Sequence, residues 1–182
     1  MAHGFIIESM IQAKNIDALN RSVTSAVDVD GGGLVALAYP TTKGNDVWTA
    51  SAPSTELGGL WIAYNPEVKY TDVNGKRYAG LSADIRDYTN IAGEVFDAFK
   101  PKVGDELVIS IDAVDATGAD AVAGDILESK AGQTKFTRVA AGTGATAGST
   151  AFEIELVDAI DFPSASIGVE KVKAFKAVCI QE

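Results

Sequence analysis

With 182 residues, 47% of them hydrophobic, the chain can bury a core of its own, as one large domain or two small lobes. Its 15 Lys and Arg stand against 25 Asp and Glu, for a formal net charge of −10. Scattered basic residues in an acidic chain exclude the cationic patch that counterion release rewards, so nucleic acid is not an expected partner. Cys179 is the single cysteine, which excludes an internal disulfide and a multi-thiolate zinc site.

Residues 1–20 read as an N-terminal docking arm. Phe5, Ile6, Ile7, Met10 and Ile11 fall at roughly helical spacing, yet Phe5-Ile6-Ile7 suits a short strand equally well. An apolar segment this short must dock, either on its own domain or on a neighbour. The segment lacks the basic start of a signal peptide, and Glu8 and Gln12 interrupt its apolar run. No stretch reaches the roughly 18–20 apolar residues needed to span a bilayer. Synthesis and folding in a cytoplasm, away from membranes, are therefore expected.

Residues 21–86 read as an N-terminal β-rich lobe. Val23, Val27 and Val29 alternate with small or polar residues, Gly31-Gly32-Gly33 breaks the run, and Leu34–Tyr39 resumes it. Val47–Ala50 and Leu60–Asn65 supply further short β-prone runs, bracketed by Pro53, Gly58-Gly59 and Pro66. Asn74-Gly75 lies between two polar-aromatic runs and offers the two positive-φ residues of a type I′ turn, so a hairpin is expected there.

Residues 87–100 form a short helix or an extended linker on this reading. Ile91, Val95, Phe96 and Phe99 fit a helical stripe between a capping Asn90 and a terminating Pro101, although Gly93 interrupts it. Residues 101–182 then hold β-prone runs at 106–114, 134–140, 151–157 and 169–180, separated by Gly, Ala, Ser and Thr. The fold class is mainly β: an N-terminal sheet with a hairpin and a C-terminal barrel or sandwich, with at most one short helix between the lobes. Lys171, Lys173 and Lys176 read as the polar face of the last strand, and Phe175, Ala177 and Cys179 as its buried face.

Catalytic chemistry finds little to work with. The only histidine, His3, stands at a terminus expected to fray, which removes the base of a triad. Gly142-Thr143-Gly144-Ala145-Thr146-Ala147 fits a loose dinucleotide fingerprint, but an alternating strand follows it where a helix is required. Asp28-Val29-Asp30-Gly31 starts like a calcium loop, yet Tyr39 stands where the bidentate Glu belongs. Asp112 with Asp115, Asp120 with Asp125, and Asp158 with Asp161 are turn-proximal pairs with nothing to set a catalytic separation. No cofactor, metal or enzymatic activity is expected. Trp48 and Trp61, with Tyr39, Tyr64 and Tyr70, could form a sugar-stacking platform or simply core.

Three stretches carry a resemblance: GGLWIAYNPEVKYTDVNGKRYAGL, DIRDYTNIAGEVFDAFKPKVGDELVIS and the closing EKVKAFKAVCIQE. They are similar to small acidic proteins encoded beside the major capsid gene in tailed phages of Gram-positive, clostridial-type hosts, and resemble capsid decoration, or head-stabilising, proteins. The likeness spans residues 28–130 and the last strand, and consists of the Gly-rich opening before Leu34-Val35, the LW…YNPE segment and F…F…VGD. It carries no catalytic signature. It implies a virion component on the capsid surface that binds assembled capsomers, with the major capsid protein as partner; a homo-oligomer is expected, and a trimer would match a three-fold position, where one small protein touches several capsomers. Phe5, Ile6, Ile7, Ile11 and Trp48 are the expected partner contacts. Two other classes compete: a carbohydrate-binding β-module on a virion or cell surface, and a hydrolase working through loop carboxylates.

Overall fold

The computed structural model describes residues 3–7, 11–40, 46–55, 57–66, 71–73, 76–78, 85–164 and 168–182, with the side chains of 71–73, 76–78, 159–164 and 168–170 left aside. The described chain is mainly β, and its helical turns are short 3-10 segments. In chain order the strands are β1 (Ile6–Ile7), β2 (Asn20–Ser25), β3 (Leu34–Ala38), β4 (Trp48–Ser51), β5 (Trp61–Ala63), β6 (Thr71–Val73), β7 (Lys76–Tyr78), β8 (Val95–Phe99), β9 (Glu106–Ser110), β10 (Ile126–Glu128), β11 (Thr137–Val139), β12 (Ala151–Ser164) and β13 (Gly168–Gln181).

Five strands close into a barrel in the order β2-β4-β3-β5-β8. Only β2 and β4 run parallel; the other barrel pairings are antiparallel. A barrel of so few strands has a narrow interior, and Val and Ala with a single Phe fill it. Val23, Val29, Val35, Ala50, Ala63, Phe96 and Ala98 form that buried cluster. Six further strands form an open sheet in the order β1-β9-β13-β12-β10-β11.

A second apolar cluster lies between barrel and sheet and draws on both. Leu34, Ile62 and Phe99, on the strand faces turned away from the barrel interior, join Leu107, Ile109, Phe136, Phe152, Ile154 and Phe175 of the sheet side. The two lobes thus share one core. A β-bulge between Ile154 and Leu156 shifts the alternation of β12. Ile154 is buried, Leu156 is turned to solvent, and Val157 packs back against the core.

The barrel is built from strands within residues 20–99, whereas the sequence reading placed a barrel or sandwich after residue 100; the C-terminal strands stay open and take in β1 instead. The segment 87–100 contains neither a helix nor a free linker: Val95–Phe99 is β8, paired to β2 and β5. Phe96 and Ala98 point into the barrel while Ile91 and Val95 stay exposed, so the apparent helical stripe has no common face. Gly93 has φ 79°, a turn conformation that a helix interior cannot contain. Thr71–Val73 and Lys76–Tyr78 do pair antiparallel, with Val73 opposite Lys76. That register leaves two residues for the loop; Asn74 and Gly75 themselves lie outside the described residues.

The N-terminal arm docks on its own chain. Phe5, Ile6 and Ile11 are 1%, 1% and 2% exposed, and Ile6 pairs with Ile109. Phe5 and Ser110 exchange two hydrogen bonds: the Phe5 N–H donates to the serine Oγ at 2.9 Å, and the Ser110 N–H donates to the Phe5 carbonyl at 3.0 Å. His3, expected to fray, is held as well. Its Nδ1 lies 2.7 Å from Asp30, and its N–H donates to the Arg86 carbonyl at 3.0 Å.

Candidate functional site

Strand alternation sends Val23 and Ser25 of β2, Ala50 of β4, Val35 of β3 and Ala63 of β5 toward the barrel interior. Two residues back along their strands, Arg21, Trp48 and Trp61 take the same side, and Leu37 and then Tyr39 follow Val35 at the same period. These residues therefore close one mouth of the barrel. The Arg21 guanidinium sits between the two indoles, 5.4 Å from the Trp48 ring and 5.6 Å from that of Trp61. The Tyr39 ring lies 4.5 Å from Trp48 and tilts 39° to it. Tyr39 is nonetheless 78% exposed.

Arg21 is fixed in place by its Nη1, which donates to the carbonyls of Asn20 at 2.7 Å and Asp17 at 3.3 Å. Asn20 is itself pinned: its Nδ2 donates to the carbonyls of Lys14 and Ile16, and its Oδ1 accepts from the Tyr64 hydroxyl at 2.8 Å. An open cavity of about 550 Å³ lies against Asn20, Arg21, Ser22, Asp46 and Trp48. Among the described residues, the cavity has one aromatic residue, Trp48, with a cation and a carboxylate, Arg21 and Asp46, in its lining, and Tyr39 stands beside it against Trp48.

A second feature is the β12–β13 ribbon, whose strands have 14 residues each. β9 accompanies β13 only over Ala174–Val178, and β10 accompanies β12 only over Ala151–Glu153. The six pairs from Ala159 opposite Lys173 to Ser164 opposite Gly168 continue past both neighbours. At about 3.3 Å per residue they extend roughly 20 Å. At the ribbon's base, Lys173 Nζ donates to the Ala119 carbonyl at 2.8 Å and lies 5.3 Å from the Phe175 ring. Lys173 and Lys176 therefore occupy opposite faces of β13, contrary to the single polar face read from sequence. Lys176 is gripped between Glu106 and Glu155, 2.8 Å from each, and the two carboxylates push its pKa up.

Of the residues singled out as partner contacts, Phe5, Ile6 and Ile11 belong to the chain's own core, and Ile7 is half-buried beside them on β1. The reason is edge pairing: β1 completes the open side of β9, and that brings its apolar neighbours inward. Trp48 alone of the five is at the surface mouth. Trp61 and Tyr39 join it there, Tyr64 packs 4.9 Å from Phe99 elsewhere, and Tyr70 lies outside the described residues. Sequence reading missed Arg21; the signal was its period-two register with Val23 and Ser25, which puts a cation among indoles.

The loop carboxylates act as fold staples. Asp28 accepts the Ala92 N–H at 2.8 Å, and Asp30 holds His3 and the Gly4 N–H. Asp115 accepts from the N–H and hydroxyl of Thr117 and from the Thr137 hydroxyl. Burial raises its pKa, but these bonds outweigh that, and the carboxyl stays below its usual range. Asp125, only 1% exposed, accepts from Arg138 Nε at 2.6 Å and from the N–H groups of Val122 and Ala141, both at 2.9 Å. Here too burial pushes the pKa up and the hydrogen bonds bring it down further. Among the described residues no three His, Cys, Asp or Glu come together as a metal site would require. The Gly142–Ala147 loop leads into β12, and Thr146 donates to Glu128 from both its N–H and its hydroxyl, at 2.7 and 2.8 Å.

Comparison with known proteins finds no matching family model, no matching curated protein and no matching solved structure.

Proposed function

We propose that this chain is a virion structural protein that binds the outer surface of an assembled phage capsid and stabilises it, acting as a homo-oligomer. The observation that carries this reading is the β12–β13 ribbon. A two-stranded ribbon of this length is marginal in water on its own. Its extension past β9 and β10 is best accounted for by a partner surface that it packs against, and its sequence there, AIDFPSASIGVEKV, is rich in apolar residues.

Two further features favour the same use. Backbone pairing sets Val95 opposite Thr24 and bridges Val29 to Asn90, so Val27, Ile91 and Val95, exposed by 56%, 54% and 49%, gather at one end of the barrel. Such a patch suits a contact face. The net charge of −10 keeps the remaining surface soluble and outward-facing. Decoration then works by mass action: surface buried only on the assembled, expanded lattice favours that lattice over its broken forms.

The test adds purified protein to undecorated heads and measures occupancy together with resistance to heat or chelator. Saturable binding at fixed stoichiometry with a raised disruption temperature is the expected result. Heads that bind none of it, or bind it without any gain in resistance, would overturn the reading.

A further inference from the structure

The barrel mouth lies apart from the ribbon and has the makings of a ligand site. Barrel mouths are recurrent places for small-molecule recognition, because strand ends converge there around a concavity. Three features of this mouth define what it could hold. First, Trp48 packs against the Tyr39 ring and fixes its position, and the 78% exposure of Tyr39 leaves that ring open to a ligand. Second, Arg21 is preorganised by the two carbonyls that bind its Nη1, while its Nε and Nη2 have no hydrogen-bond acceptor among the described residues. Third, Asp46 lines the cavity as an exposed carboxylate with no ion-pair partner among the described residues.

A cation that can donate, a carboxylate that can accept and flat apolar rings make a complementary set. The group that uses all three at once is a pyranose ring. Its axial C–H face stacks on an aromatic ring, and its vicinal hydroxyls both donate to a carboxylate and accept from a guanidinium. The base of a nucleotide would stack equally well, but the nucleotide's phosphates would meet Asp46, Asp97 nearby on β8 and a chain of net charge −10. A gluco-configured sugar has its hydroxyls equatorial and both ring faces free for stacking.

We infer that the Arg21–Tyr39–Trp48 mouth is a carbohydrate-binding site for neutral, gluco-configured oligosaccharides, separate from the capsid-binding function proposed above. Arg21 and Asp46 would hold the hydroxyls, and Tyr39, backed by Trp48, the ring face. An open, shallow site of this kind gives modest affinity, with a Kd of about 0.1–1 mM.

Titration of the full chain with cellotetraose and with chitotetraose, followed by tryptophan fluorescence and by calorimetry, tests this. One of the two sugars should produce a saturable change. Tyr39→Ala and Asp46→Ala should each weaken binding about tenfold or more while leaving thermal unfolding as in the parent, because both side chains are exposed. Trp48→Phe, which keeps the barrel mouth filled, should bind more weakly with a smaller fluorescence change. Neither sugar binding at about 10 mM would overturn the inference, and so would binding that both Tyr39→Ala and Asp46→Ala leave intact.

Discussion

The Asn65 carboxamide brackets Ile6: its Oδ1 accepts the Ile6 N–H at 2.9 Å, and its Nδ2 donates to the Ile6 carbonyl at 2.5 Å. Asn65 follows β5 of the barrel, whereas Ile6 pairs with Ile109 of the open sheet. A side chain from one lobe thus completes the backbone pairing of a strand in the other. Gly31 leaves room for this contact, since a Cβ there would fall 2.5 Å from the Asn65 Oδ1.

Asn65→Ala should therefore lower stability by about 2 kcal/mol, the usual cost of leaving two backbone groups without their partners. Urea denaturation measures it. Deleting residues 1–7 should cost more, because Phe5 and Ile6 leave the shared core, and the loss should appear in both lobes in one transition. A deletion variant as stable as the parent would show that the arm is dispensable to the fold.

The β-character and the paired hairpin strands were legible because alternation and turn residues are local signals. The arm was only half legible. Phe5-Ile6-Ile7 announces a segment that must be buried, but whether it meets its own chain depends on Ser110 and Asn65, which lie 105 and 59 residues from the groups they bind. The stretch around Phe96 misled for a related reason. Phe96 faces the barrel interior and Phe99 the inter-lobe core, so a strand with apolar residues on both faces imitates helical spacing. At the barrel mouth, Trp48, Trp61 and Tyr39 stand out as residue types, yet their meeting around Arg21 depends on barrel closure, which no local pattern encodes.

Asp125 should make the protein acid-sensitive. Its folded pKa lies below the ordinary aspartate value of 3.8, so the folded state prefers the ionised form more than the unfolded chain does. That contribution is fully present above the unfolded pKa and is lost as pH falls through the folded one. Stability should thus be flat near neutrality and decline below about pH 4, with Asp115 acting in the same direction. Asp125→Asn strands the Arg138 guanidinium and should cost about 3 kcal/mol at pH 7. It should also flatten the acid limb of the stability profile, as measured by urea midpoints across pH.

Cys179 should be chemically silent in the folded protein. Burial pushes its thiol pKa up to about 12, and the side chain is 1% exposed. Little thiolate exists at pH 8, and a disulfide reagent cannot reach it. Reaction with an aromatic disulfide should follow global unfolding and should become rapid in denaturant. The raised pKa also has an alkaline consequence: above the ordinary thiol value of 9.0 the unfolded chain ionises while the folded one does not, so this contribution falls away as pH rises. Fast labelling under native conditions would contradict the placement of β13.

Shortening the ribbon separates its role in the fold from its role in binding. The register sets Asp158 opposite Ala174 and Ala159 opposite Lys173, so replacing residues 160–172 by Asn-Gly closes the two strands with a two-residue turn. Phe175, Ala177 and Cys179 keep their places in the core, and Lys173 keeps its reach to the Ala119 carbonyl. The apolar side chain lost from the described part is that of Val172, 5% exposed, so the thermal midpoint should fall by no more than several degrees. Binding to undecorated heads should be abolished, because the surface removed is the one held to meet the capsid. Sugar binding at the barrel mouth should survive, since Arg21, Tyr39 and Trp48 belong to the barrel strands. A shortened protein that decorates heads at the parental occupancy would remove the ribbon from the interface and leave the patch of Val27, Ile91 and Val95 to carry it.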